Sequence, residues 1–124
     1  MTHTIQRHRS NARMSKIVQH GGLIFLCGQT SSGTALARIG DQTSEVLRRI
    51  DALLAEVGSD RSHLLSATVY LNQIEDFAAL NAVWEAWVSN GCAPASTTVQ
   101  ANLASTNLLI ECPQKPQFKG GSIH

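Results

Sequence analysis

The sequence predicts an α+β domain in two layers, one mixed β-sheet with two helices on the same face. Three patterns point there. Residues 16–27 hold two β-branched and aromatic runs parted by adjacent glycines; residues 43–57 and 75–90 each carry an apolar stripe at helical spacing; short apolar runs lie between and after them. The expected order is two strands, helix, strand, helix, two strands. The sheet face away from the helices is then left to solvent or to another copy of the chain.

KIVQ (16–19) and LIFLC (23–27) flank His20-Gly21-Gly22, whose glycines supply the positive φ of a tight hairpin. GQTSSG (28–33) ends the second strand in a loop. In TSEVLRRIDALLAEV (43–57), Val46, Leu47, Ile50, Leu53, Leu54 and Val57 form one helical stripe. Asp41 or Thr43 is placed to begin that helix and Gly58 to end it.

After a polar turn at 59–63, LLSATVYLN (64–72) turns Leu65, Ala67, Val69 and Leu71 inward as a half-buried strand. The second helix, 75–90, lines up Phe77, Leu80, Trp84, Trp87 and Val88, with Asn81 inside the same stripe. A buried amide there must find partners or cost about 1–3 kcal/mol. TTVQA (97–101) and LLIEC (108–112) read as two further strands. Pro113 has no N–H to donate, so the last strand is expected to stop near Cys112 or to continue only as an edge.

A chain of 124 residues makes one domain. Its organisation is read as a flexible N-terminal arm (1–12), the domain proper (13–112) and a loose tail rich in Pro, Gly and Lys (113–124). The net charge of +1 gives no global field toward nucleic acid or an anionic membrane, and the basic stretch RHRSNARMSK (7–16) reads as a solvated arm. No run reaches the roughly 18 apolar residues of a membrane span, and no secretory signal is visible, so the cytoplasm is the expected location. The three cysteines, Cys27, Cys92 and Cys112, form no CxxC pair and are read as reduced thiols. No metal or cofactor is expected, because the five histidines are scattered and no phosphate-binding, dinucleotide or zinc motif is present.

The candidates for chemistry are isolated. Glu111 is an acid in an otherwise apolar strand: it is either the polar half of an alternating strand or a carboxylate in a cleft, where desolvation would suit it to proton transfer. Cys27 is either a small core residue or a nucleophile without a visible base, and Ser96, Thr97 and Thr98 offer hydroxyls at a strand start.

Taken together, CGQT (27–30), ATVYLNQIEDFAALNAVWEAW (67–87), APASTTVQ (93–100) and LLIE (108–111) resemble the RidA/YjgF family, once labelled L-PSP endoribonucleases or translation inhibitors. The resemblance spans residues 13–112 and implies a chorismate-mutase-like subunit, a homotrimer, and ligand clefts between neighbouring subunits. It also implies hydrolysis of reactive enamines and imines without cofactor, with an arginine holding the substrate carboxylate and a glutamate positioning water. By that resemblance Glu111 is the water-positioning acid, Cys27 and Gly28 offer backbone groups to the ligand, Asn81 is the helix asparagine and Met14 stands at the cleft mouth. Ser96 occupies the place of the arginine, with Thr98 beside it, and Asn102 that of a further basic residue. Arg13 is the candidate to replace the lost charge.

The expected function is therefore a RidA-like deaminase-type hydrolase with an altered substrate, facing Glu111 and Ser96 across a subunit interface. The alternative is a non-catalytic small-ligand-binding or regulatory trimer. RNA binding, the third reading, rests on the older label and the basic arm.

Overall fold

The computed structural model describes residues 4–88 and 90–118, so residues 119–124 of the expected loose tail lie outside the described residues. Six strands and two helices follow one another: β1 (Gln6–Ser10), β2 (Ser15–His20), β3 (Leu23–Gln29), α1 (Ile39–Glu56), β4 (Ser66–Leu71), α2 (Phe77–Trp87), β5 (Ala95–Gln100) and β6 (Ile110–Phe118). They form one sheet in the order β1-β2-β3-β6-β4-β5. Among the described residues only β4 and β5 pair in parallel, as a strand, crossover helix and strand require.

The β2–β3 turn is the expected hairpin. Gly21 (φ 58°) and Gly22 (φ 84°) form its two-residue loop, closed by the pairing of His20 with Leu23. Helix α1 lays Val46, Ile50 and Leu54 onto Ile17, Ile24 and Ile110 of the sheet, and Leu80 of α2 joins the same core. Its end is fixed by Gly58 (φ 76°): Ser59 N–H donates to the Leu54 carbonyl and Gly58 N–H to that of Ala55, a Schellman cap.

Helix α1 starts earlier than its apolar stripe. Arg38 stands at the N-cap without a side-chain hydrogen bond, so neither Asp41 nor Thr43 begins the helix. The reason lies in Gln42, 1% exposed, whose amide donates to the carbonyls of Leu36 and Asn107 and accepts from the Leu109 N–H. One polar side chain thus ties the first helical turn to the loops before α1 and β6. Helix α2 is shorter than its stripe, because residues 74–76 form a separate 3-10 turn and Val88 already has extended backbone.

Two corrections concern the ends. Residues 6–10, placed in a flexible arm, pair with β2 as an edge strand. Their side chains are mostly exposed, which is why no apolar alternation marks them. Arg9, with left-handed backbone (φ 52°), reaches Glu56 on α1 in an ion pair of 2.7 Å. At the other end β6 does not stop at Cys112: it runs through Pro113 to Phe118 in the middle of the sheet. Proline fits because the β3–β6 register shifts there, between the pairs Leu26–Gln114 and Gln29–Cys112, and an irregularity in the ladder spares the missing donor.

Candidate functional site

Strand parity divides the candidate residues between the two sheet faces. Ala67, Val69 and Leu71 of β4 are buried beneath the helices, so their register partners Ser96, Thr98 and Gln100 on β5 point to the helix side. Glu111 pairs with Tyr70, the residue between Val69 and Leu71, and therefore stands on the open face. Within one chain Ser96 and Glu111 lie on opposite sides of the sheet.

On the helix side, Asn81, Ser96 and Thr98 gather around one pocket of about 220 Å³ with Val69, Phe77, Leu80 and Trp84. Asn81 is half-buried, since α2 turns Leu80 and Trp87 into the core and leaves Phe77 and Asn81 toward the β5 edge. Among the described residues the side chains of Asn81, Ser96 and Thr98 have no hydrogen-bond partner. The pocket therefore combines an apolar floor, two aromatic walls and three neutral groups that can each donate and accept. Among the described residues no charged side chain lines it.

On the open face, the Glu111 carboxylate lies against Gly28. A β-carbon built on Gly28 would overlap the carboxylate oxygen and come within 2.9 Å of its Cδ, so a side chain there would make the acid shift from this position. Strand β3 is irregular at this point, which brings the Cys27–Gly28 backbone up to β6. Burial pushes the Cys27 thiol up from its ordinary range; the charge of Lys16 and a 3.2 Å hydrogen bond from the Gln29 amide oppose that rise, and the charge of Glu111 adds to it. Cys27 is thus held as a neutral thiol, the form with little nucleophilic power.

Met14 stands apart from both sets. It is exposed in the β1–β2 turn, where its N–H donates to the Asn11 side chain at 3.0 Å. Arg13 and Asn102 are exposed as well. Sequence reasoning assigned Phe77 to the core stripe, whereas it is 44% exposed and walls the pocket. Lys16 drew no notice because it is an ordinary polar position of a strand. Among the described residues no cluster of three metal-ligating side chains occurs, and no helix is long and apolar enough to cross a membrane.

The fold and its two residue sets define a class: a two-layer α+β protein with a mixed six-stranded sheet, a neutral pocket under one helix and a carboxylate on the bare sheet face. The chain belongs to the family described as Endoribonuclease L-PSP, whose family model matches residues 4–113. It is 39% identical over 108 residues to a RutC family protein of Haemophilus influenzae, covering 87% of this chain and 93% of that one. To the RutC family protein YoaB of Escherichia coli it is 40% identical over the same shares of the two chains. Among solved structures, a YjgF family member from Neisseria meningitidis superposes with a TM-score of 0.89 at 38% identity, over 96% of this chain and 98% of that one. An uncharacterized Pseudomonas aeruginosa protein gives 0.87 at 33%, over 93% and 98%. These likenesses bear out the RidA/YjgF resemblance and the α+β fold.

Proposed function

We propose that the protein is a cofactor-free cytoplasmic hydrolase of reactive enamines and imines, working as a homotrimer with its site between copies. Its substrates lack the carboxylate that an arginine would hold. The observation that supports this most is the placement of the Glu111 carboxylate on the Gly28 backbone, on the opposite sheet face from Asn81, Ser96 and Thr98. Two half-sites on opposite faces of one sheet can meet only when copies of the chain associate.

In this reading the pocket of one copy holds the imine and Glu111 of the next accepts a proton as water attacks the imine carbon. The C=N electron pair moves to nitrogen, Glu111 returns the proton there, and the carbinolamine collapses to a carbonyl compound and ammonia. An enamine first takes a proton on carbon and gives up one from nitrogen, which makes it the imine. Water and imine thus balance carbonyl and ammonia, and the carboxylate is regenerated.

A second reading, a non-catalytic binder or regulatory trimer, is favoured by Ser96, which leaves the pocket without an anion anchor. RNA binding has less support, since residues 6–10 are paired into the sheet and Arg9 is engaged by Glu56.

The test is ammonia release from imines generated in situ by an amine oxidase, without a carboxylate, or by an amino acid oxidase, with one. Acceleration of the first that Glu111→Gln lowers by about 10²–10⁴-fold is the expected result. Absence of any acceleration, with ligand binding retained in Glu111→Gln, would replace the hydrolase by the binder.

A further inference from the structure

We infer that the pocket between α2 and β5 selects an uncharged, planar ligand presenting an amide-like edge, a hydrogen-bond donor beside an acceptor. The inference deepens the reading of this pocket as a ligand site. Three observations carry it. The Asn81 amide offers an acceptor and a donor side by side, and the Ser96 and Thr98 hydroxyls can act in either sense, so the polar rim matches a ligand edge that itself carries both. Among the described residues these groups have no protein partners, and Ser96 is exposed, so a ligand would replace water on them rather than break bonds within the protein. Phe77 and Trp84 stand over a floor of Val69 and Leu80, which suits a flat apolar body.

Charge points the same way. An anion entering this pocket meets no cation, and a carboxylate stripped of water without a partner is strongly disfavoured. The volume of about 220 Å³ lies below the range of about 300–1,000 Å³ typical of drug-sized ligands, so a single ring or a short chain is the fitting size.

Benzamide and benzoate share a shape and differ in charge and in the donor, which makes them a matched pair. Ligand-observed NMR titration of the full chain should show benzamide binding at least tenfold more tightly than benzoate. Asn81→Leu should erase that preference, and Ser96→Arg should reverse it. The same titration in Glu111→Gln separates the two ideas: preference kept while ammonia release is lost supports the selectivity whatever becomes of the hydrolase. Equal or tighter benzoate binding by the unaltered chain would overturn the inference. Should Lys16→Gln then abolish benzoate binding, the anion anchor would be Lys16, outside this pocket.

Discussion

The carboxylate of Glu111 occupies the space that a side chain on Gly28 would need. In the proposed hydrolase this pairing would set where the attacking water is held, because β6 presents the acid and the irregular stretch of β3 presents bare backbone to it. Gly28 has no left-handed φ, so alanine is free of backbone strain there and acts through the clash alone. Gly28→Ala should lower kcat for imine hydrolysis at least tenfold while leaving KM within about twofold, since it displaces the acid and alters none of the residues that line the pocket. Steady-state ammonia release reads both constants. An unchanged kcat would mean that the position of the Glu111 carboxylate is irrelevant.

Gln42 bridges two carbonyls and one N–H from a fully buried position, and Gln42→Met keeps the volume but strands those groups. Leaving them unsatisfied should cost about 2–4 kcal/mol in urea unfolding. Hydrogen exchange should also speed up around Leu36 and at the Leu109 amide, well away from the β2–β3 hairpin.

Gly58 ends α1 with a φ of 76°, a conformation that side-chain-bearing residues reach only with strain. Gly58→Ala should destabilise the protein by about 1 kcal/mol, and Gly40→Ala, which sits in open space within the first turn of α1, should be neutral or slightly stabilising. Paired thermal melts check the two substitutions against each other.

Hydrogen bonds from Arg48 and Arg49 hold the Glu45 carboxyl at about 2, well below the ordinary carboxylate range. A depressed folded pKa means that the unfolded chain binds more protons between the two values, so stability is full above about pH 4.5 and falls as the pH drops toward 2. Glu45→Gln should flatten this part of the stability profile. Salt should shrink the difference, because Arg48 is 66% exposed.

The helices and the β2–β3 hairpin were legible because burial writes a period into sequence: Val46, Ile50 and Leu54 repeat at helical spacing, and Gly21-Gly22 marks a turn that few other pairs can make. The ends were not. Gln6–Ser10 forms an edge strand with mostly exposed side chains and so carries no apolar rhythm, while Pro113 reads as a stop unless the irregularity in β3 opposite it is known. The candidate residues were legible as words, Glu111 in LLIE and Asn81 in the helix stripe, but not their division between faces. That depends on β5 pairing parallel to β4 and on β6 lying between β3 and β4, long-range choices that no local pattern encodes.

A site shared between copies is tested most directly by mixing subunits. Glu111→Gln removes the acid and leaves the pocket, whereas Ser96→Trp fills the pocket and leaves the acid. Each variant alone should release little ammonia from a carboxylate-free imine. Refolded together in equal amounts, they should recover about a quarter of the unaltered activity, the chance that a sound pocket faces a sound Glu111 in a ring of head-to-tail contacts. Activity that stays at the level of the parents would contradict a site built from two copies.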